Sequence, residues 1–164
     1  MLEAQHIEVI EAKAEDTLRD IFGEKVSLPI DLGRIANAYG ISLKETSFSE
    51  DDVLGLLDRE LKTIFVAKEL RLPKMSFTVA HELGHYMLHR DKEKDVYLRL
   101  DAVNLDIQDN VEELEANQFA ASVLMPRALV TKYWETIKDV DQLCAIFGVS
   151  KSAMYYRLRT LKLI

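Results

Sequence analysis

Apolar positions recur at helical spacing along the first part of the chain. Between residues 3 and 22 they follow one helix face, at Ile7, Ile10, Ala14, Leu18, Ile21 and Phe22. Gly23 follows this run as a stop signal. Asp31 is predicted to cap a short second helix that runs to Tyr39 and ends at Gly40. The pattern thus predicts two helices before the first strand.

The pattern then changes to alternation of apolar and polar residues, which is typical of half-buried strands. Residues 41–46 alternate in this way, and residues 55–57 and 63–66 flank a polar turn at 58–60. Branched and aromatic residues make 63–66 the most strand-like part of the chain. These segments predict a small antiparallel or mixed sheet near the N-terminus.

From residue 73 onward the pattern is helical, except in the charged segment 90–110, which has no periodicity and is predicted to be a loop. The predicted helices are Ser76–His89, Val111–Leu124, Pro126–Ile137, Val140–Phe147 and Ser150–Leu161. A small sheet followed by helices predicts an α+β protein that is mostly helical. We divide it into a core, residues 1–137, and a C-terminal segment that resembles a helix-turn-helix, residues 138–164.

The helix predicted after Ser76 carries the sequence HELGH. In this HExxH motif His81 and His85 stand four residues apart on one helix face, so both imidazoles can reach one metal ion. Glu82 lies on the adjoining face, where its carboxylate can take a proton from a water molecule. The alternative is a coincidence of composition, which is disfavoured because three of the four histidines fall within nine residues.

A catalytic zinc ion usually has a third protein ligand. His89 lies eight residues after His81, about 12 Å along the helix axis, and is therefore assigned a structural or orienting role. Glu113 lies near the middle of the apolar face of its predicted helix, where a carboxylate is costly unless it is paired or binds a metal. Glu113 is thus the candidate third ligand, and a salt bridge to a buried Lys or Arg is the alternative.

The remaining polar residues of the Glu113 helix divide between its two faces. Asn117, one turn after Glu113, could orient a ligand. The opposite face is predicted to be exposed to solvent, with Glu115, Gln118 and Ser122.

The HELGH motif and the later run ELEANQFAASVLMP, residues 113–126, resemble the ImmA/IrrE family of metallopeptidases. The second motif of that family usually reads ExEANxFAxxLLMP, and Val123 replaces one leucine here. The resemblance implies a gluzincin-like core with His81, His85 and Glu113 as metal ligands and Glu82 as the catalytic base. Family members are cytoplasmic regulators of mobile elements and stress operons, and many cleave a helix-turn-helix repressor. Others belong to toxin–antitoxin or phage systems.

Composition adds limits to this picture. The chain has 164 residues, 48% hydrophobic and with a net charge of −7, which suits one globular domain and disfavours a protein that coats nucleic acid or an anionic membrane. No apolar run approaches a membrane span, and the charged N-terminus does not resemble a signal peptide. With a single cysteine, Cys144, the expected location is the cytoplasm.

The last fifteen residues are basic and support a second hypothesis. Residues 150–164 contain Lys151, Arg157, Arg159 and Lys162 and no acidic residue. With Tyr155 and Tyr156 they could contact phosphates and bases, or a partner protein. Packing of this segment on the core is the alternative interpretation.

We therefore predict a zinc-dependent endopeptidase that cleaves a regulatory protein, such as a helix-turn-helix repressor or an antitoxin, at specific sites. Ligand type alone does not distinguish zinc from manganese or iron. The segment 90–110 is expected to shape or cover the cleft. The alternative function is a non-catalytic regulator that binds a repressor or DNA through its C-terminal helices.

Overall fold

A computed structural model describes residues 2–90, 96–100 and 110–164, apart from the side chains of residues 97, 98 and 100. Seven helices lie within these ranges: α1 (Ala4–Phe22), α2 (Leu32–Ala38), α3 (Lys74–Leu88), α4 (Val111–Leu124), α5 (Arg127–Ile137), α6 (Val140–Phe147) and α7 (Lys151–Thr160). The strands described are β1 (Ser42–Thr46), β2 (Val53–Asp58), β3 (Thr63–Ala67) and β4 (Val96–Leu100). The predicted α+β class is confirmed.

Local signals explain where several helices begin. The carboxylate of Asp31 accepts a hydrogen bond from the Arg34 backbone N–H, as predicted for an N-cap. Asn110 and Ser150 cap α4 and α7 in the same way. The prediction that Ser76 caps α3 is wrong, because the helix begins two residues earlier, after Pro73. A proline is tolerated there since the first backbone N–H groups of a helix have no partner within it.

The four described strands form one mixed sheet in the order β1-β3-β2-β4. Strand β1 runs parallel to β3, with Ser42 opposite Thr63 and Thr46 opposite Ala67. Strand β2 is antiparallel to both β3 and β4. The predicted mixed sheet is therefore present, but it includes a strand that follows α3 in sequence.

Strand β4 corrects the prediction of a loop over residues 90–110. Residues 96–100 pair with β2, with Asp58 opposite Val96. The strand reads VYLRL, in which the apolar residues at 96, 98 and 100 alternate with Tyr97 and Arg99, so a short strand signal was present within the charged segment and was missed. The rest of the predicted lid, residues 91–95 and 101–109, lies outside the described residues.

Helix α3 lies on the sheet, and a glycine permits this close approach. A Cβ atom at Gly55 of β2 would stand 2.6 Å from the Cγ2 atom of Thr78. Any larger residue at this position would push the helix away from the strand. Gly55 therefore fixes the distance between the sheet and the helix that carries the HExxH motif.

The C-terminal helices share their core with the rest of the molecule. Leu143, Phe147, Met154 and Leu158 are buried in the same hydrophobic cluster as residues of α1, α3 and α4. Gly148 ends α6 in the left-handed conformation, with φ of 67°, as its place in the predicted turn requires. The division at residues 137 and 138 stays a prediction.

One basic residue of α7 has a role that the sequence did not indicate. Arg157 is 1% exposed, and its guanidinium donates to the carboxylate of Glu11 in α1 at 2.5 Å and 3.1 Å. It also donates to the backbone carbonyl of Met125 at 2.9 Å. The proposed contact of Arg157 with nucleic acid is therefore wrong, since its charge is neutralised inside the protein.

Candidate metal centre

Two helices bring three potential metal ligands together. His81 and His85 lie one turn apart on α3, both buried, with their Nε2 atoms 3.1 Å apart. Glu113 stands in the first turn of α4, with Oε2 at 3.1 Å from Nε2 of His81 and Oε1 at 3.0 Å from Nε2 of His85. Ligand atoms of the three residues all lie within 4.8 Å of one another.

The convergence depends on the close packing of α3 and α4. A Cβ atom at Gly84 would lie 3.0 Å from both the Cα atom and the carbonyl oxygen of Ala116. Because those are backbone atoms, they cannot turn aside as a flexible side chain would. The small residues Gly84 and Ala116 thus let the two backbones approach until Glu113 reaches both histidines.

The protonation states of these residues fit a divalent cation. Burial lowers the pKa of His81 to about 4, against the opposing effect of the hydrogen bond that its ring donates to Glu113, so its imidazole is neutral at pH 7. Burial raises the pKa of Glu113, but hydrogen bonds from His81 and His85 outweigh it and hold that pKa well below its ordinary value. Neutral imidazole and ionised carboxylate are the forms that bind metals.

The donor set and its spacing point the same way. Two imidazoles and one glutamate form a common ligand set of catalytic zinc. Two atoms bound tetrahedrally at about 2.0–2.1 Å from one ion would lie about 3.3 Å apart, close to the distances found here. The three residues therefore form a candidate site for a divalent metal ion.

Asn117 and Arg99 lie on the far side of the His81 ring. The Oδ1 atom of Asn117 is 2.9 Å from Nδ1 of His81, and Nη1 of Arg99 is 2.6 Å from the same nitrogen and 3.1 Å from that Oδ1. A guanidinium only donates, so when Nδ1 carries a proton and donates to Asn117, Arg99 also donates to Asn117. In that tautomer Nε2 of His81 would present its lone pair to a metal ion; without an ion, Nε2–H donates to Glu113 and Nδ1 accepts from Arg99.

A second chain of hydrogen bonds supports His85. Its Nδ1 atom lies 3.0 Å from Nδ1 of His89, and Nε2 of His89 lies 2.6 Å from Oε2 of Glu115. If Nε2 of His89 donates to the carboxylate, its Nδ1 accepts from Nδ1–H of His85. In this arrangement Nε2 of His85 carries the lone pair that would bind a metal ion, in place of the hydrogen bond that it donates to Glu113 when no ion is bound. His89 thus contacts a candidate ligand without joining the cluster.

The face of α4 opposite Glu113 is covered, contrary to the sequence prediction. Helix α1 packs on it, and Gln118 and Ser122 are each 2% exposed. Glu115 is 15% exposed, and its Oε1 atom lies 2.8 Å from Nε2 of His6 in α1. Helix α4 is therefore enclosed on two sides, by α3 and by α1.

Glu82 lies beside the cluster rather than in it. The residue is fully buried between α3 and the sheet. Its Oε1 atom would be 3.6 Å from a Cβ atom at Gly55, so its carboxylate lies over β2. Glu82 follows the candidate ligand His81 directly in the chain and is the acidic residue of the HExxH motif.

Comparison with known proteins identifies the family. Residues 36–159 match the model of a peptidase family, M78, described as the IrrE N-terminal-like domain. The chain belongs to this family. The resemblance that the two sequence motifs suggested is confirmed, and the family match covers both motifs.

Two curated relatives and one solved structure illustrate the likeness. The chain is 29% identical over 92 residues to an uncharacterized immunity region protein 2 of Bacillus phage phi105, which is 56% of each chain. It is 29% identical over 130 residues to the radiation response metalloprotease IrrE of Deinococcus radiodurans, covering 76% of this chain and 38% of that protein. The chain thus spans between about a third and three fifths of the length of these relatives.

A Mycobacterium tuberculosis transcriptional regulator has a similar structure, with a TM-score of 0.64. The similarity covers 92% of this chain and 46% of that one at 20% sequence identity, and it shows a shared fold.

Sequence reasoning did not find Arg99 and Glu115 as neighbours of the candidate centre. Each acts from a different element, and each reaches the centre through contacts distant in sequence. The hydropathy pattern could not indicate Glu115, because it scores every glutamate alike, whether the carboxylate accepts hydrogen bonds from two histidines or is exposed to solvent. The signal that the sequence did offer was the presence of histidines outside the ligand set, which need a hydrogen-bond acceptor such as Glu115.

Proposed function

We propose that this protein is a zinc-dependent endopeptidase that cuts a regulatory protein at one or a few bonds. The observation that carries the proposal is the convergence of His81, His85 and Glu113 beside a buried glutamate, in a chain that belongs to a peptidase family. In this proposal the three convergent residues are the metal ligands, and manganese in place of zinc is an outcome that metal analysis would reveal.

The ion would supply Lewis acidity, which polarises a peptide carbonyl and acidifies the attacking water. Glu82 accepts a proton from that water as the new C–O bond forms at the carbonyl carbon. Glu82 then passes the proton to the amide nitrogen as the C–N bond breaks. Asn117 and Glu115, the latter through His89, keep the two imidazoles in the required tautomers.

We propose that the substrate is a repressor-like protein or an antitoxin, in the cytoplasm. The support is that one relative is named as a phage immunity region protein and another as a radiation response metalloprotease. None of the helices in ranges 2–90 and 110–164 combines the length and apolar character of a membrane span.

The structure weakens the alternative of a regulator that binds DNA through α7. Arg157 is buried against Glu11, and Nζ of Lys151 lies 2.6 Å from Oδ1 of Asp141. Two of the four basic residues of this segment are thus engaged with carboxylates of the protein itself. Binding of a repressor without cleavage remains the competing function, and the experiment below separates the two.

The test compares the zinc-loaded wild type with Glu82→Gln, which keeps the size of the side chain but cannot accept the proton. Glu60→Gln, an exposed residue of the β2–β3 turn, is the matched control. The substrates are a helix-turn-helix repressor encoded in the same genome, as the regulator, and unfolded casein, and cleavage is followed by mass spectrometry.

We expect the wild type and Glu60→Gln to cut the regulator at one or a few bonds. Glu82→Gln should lose about 10²–10⁴-fold in rate with its zinc content unchanged. Equal cutting by Glu82→Gln would overturn the proposed mechanism. Extensive cutting of casein at many bonds would overturn the restricted substrate.

A further inference from the structure

A cavity of about 920 Å³ lies beside the candidate metal centre, between helices α1, α3, α4 and α7. Apolar side chains form most of its wall, among them Ile7, Phe77, Ala121, Met125, Ala153 and Tyr156. Binding sites for ligands have volumes of about 300–1,000 Å³. The cavity is at the upper end of this range and could hold several side chains together.

The cavity continues from the candidate centre along both of its helices. Phe77 lies one turn before His81 on α3, and Leu114 follows Glu113 directly on α4. Asn117 and Arg99 line the cavity and also lie within hydrogen-bonding distance of Nδ1 of His81. A molecule in the cavity would therefore extend to within one side chain of the proposed reaction site.

The charged residues that line the cavity are both cations. They are Lys74, at the start of α3, and Arg99, on β4. No aspartate or glutamate lines it within the part of the chain that the structure describes, although the whole chain has a net charge of −7. An occupant with a carboxylate near its apolar part would complement this wall.

We propose that this cavity binds a segment of the substrate polypeptide that carries at least two bulky apolar side chains and an acidic residue. The inference rests on the proposed function, because adjacency to a peptide-cleaving centre favours a polypeptide as the occupant. Apolar anchors buried in such a cavity would select the segment to be cut. The restricted choice of substrate would then come from the wall of the cavity.

The test uses the zinc-loaded full chain with Glu82→Gln, so that bound peptides are not consumed. The probe is a library of random twelve-residue peptides displayed on phage, from which bound sequences are selected. In the same background, Ala153→Phe fills the cavity from α7. Ala12→Phe, at an exposed position of α1 that does not line the cavity, is the matched control.

We expect the selected peptides to be enriched in pairs of Leu, Ile, Met or aromatic residues near Asp or Glu. Ala153→Phe should weaken their binding about tenfold, a loss of about 1.4 kcal/mol, while Ala12→Phe leaves it unchanged. Lys74→Ala should weaken the acidic peptides more than analogues in which Asp and Glu are replaced by Asn and Gln. The NMR signal of the Met125 methyl group should shift when a peptide binds. This measurement uses the Glu82→Gln protein without the cavity substitution, so it still tests the proposal if Ala153→Phe fails to fold.

Selected peptides without apolar enrichment, or equal binding by Ala153→Phe, would overturn the proposal. A competition experiment with laurate, a fatty acid, gives a further outcome. If laurate shifted the Met125 resonance and no peptide displaced it, the proposal would also be overturned. Cleavage of the selected peptides by the wild type is scored separately. Binding without cleavage would refute the proposed function and leave the docking site, whereas cleavage of peptides without apolar residues would refute the docking site alone.

Discussion

Two buried carboxylates, Glu11 and Glu113, show how similar groups can serve different purposes in one fold. The side chain of Glu11 is 3% exposed and that of Glu113 is 14% exposed. Glu11 contacts Arg157, a permanent cation, and Glu113 contacts two imidazoles, of which His81 is neutral at pH 7. Both carboxylates remain ionised, since the pKa of each is held below its ordinary value.

The difference lies in how the negative charge is balanced. The Glu11 cluster is balanced within the protein, because Arg157 and Arg127 face it and Gln118 and Ser122 donate to it. At Glu113 the contacting groups are two imidazoles, and imidazole nitrogens together with a carboxylate suit a divalent cation. We conclude that the first cluster fixes α7 against α1 and that the second is a candidate site for a divalent metal ion.

The largest expected effect is on stability, at the Glu11 cluster. Glu11→Gln leaves Arg157 buried without a counter-charge, and we expect a loss of about 3–5 kcal/mol in the free energy of unfolding. The measurement is urea denaturation at pH 7. Glu11→Leu combined with Arg157→Met should recover much of that loss, because both buried charges are removed. A loss below 1 kcal/mol for Glu11→Gln would contradict the account of this cluster.

The next effect tests the packing that brings the two helices of the candidate centre together. Gly84→Ala should destabilise the fold by about 1–3 kcal/mol, since the new methyl group meets the backbone of Ala116. It should also weaken zinc binding, because Glu113 is moved away from the histidines. Thermal unfolding and competition with a chelator measure the two effects.

Gly33→Ala is the matched control for Gly84→Ala. Gly33 is also in a helix, and the atom that a Cβ would meet is Oδ1 of Asp31 at 3.3 Å, the end of a side chain. We expect a change within about 1 kcal/mol of zero, since alanine is the better helix former but the same Oδ1 accepts the N-cap hydrogen bond from Arg34. Equal losses for the two variants would show that the contact with Ala116 is not the cause.

The sequence predicted the candidate centre better than its surroundings, for a physical reason. The HExxH spacing is local, so α3 alone places His81 and His85, and the apolar face of α4 identified Glu113 as its odd member. The opposite face of α4 was misjudged, because Gln118 and Ser122 are buried against polar partners more than 100 residues away. A hydropathy pattern reports contact with apolar groups and does not detect burial in a polar cluster.

The same limit explains the error at α7. Arg157 reads as a surface residue of a basic helix, and its partner Glu11 reads as a surface residue of α1, so their pairing is visible only in the fold. The error at β4 has another cause. Apolar residues alternate at 96, 98 and 100, but the run is five residues long within a charged segment, and its pairing with β2 was not predicted. The helices were predicted well because their patterns are local and repeat over several turns.

A smaller effect is expected where the candidate centre is supported indirectly. Glu115→Ala removes the acceptor for His89, and so loosens the tautomer and orientation of His85. We expect zinc affinity to fall about 10–100-fold, as for other carboxylates that orient a ligating histidine. His6→Ala removes a half-exposed neighbour of the same carboxylate and should change the affinity less than threefold. Equal affinities for Glu115→Ala and the wild type would show that the hydrogen-bond chain does not orient His85.

The smallest effect is the acid dependence of the Glu11 cluster. Burial opposes ionisation, but the hydrogen bonds and charge of Arg157 outweigh it, so the pKa of Glu11 lies below its ordinary value of 4.5. Its stabilising contribution is therefore complete above pH 4.5 and is lost as the pH falls through the lower pKa of the folded state. The stability difference between the wild type and Glu11→Gln should narrow over this range, and a difference constant down to pH 3 would contradict the assignment.

The central claim is that His81, His85 and Glu113 hold one divalent ion, and metal stoichiometry tests it most directly. The purified protein is equilibrated with zinc and passed through a desalting column. Inductively coupled plasma mass spectrometry should then find one zinc ion per chain. His81→Ala and Glu113→Ala should fall toward zero while remaining folded, and Glu60→Ala should keep the full content. An unchanged zinc content in either ligand variant would contradict the claim for that residue.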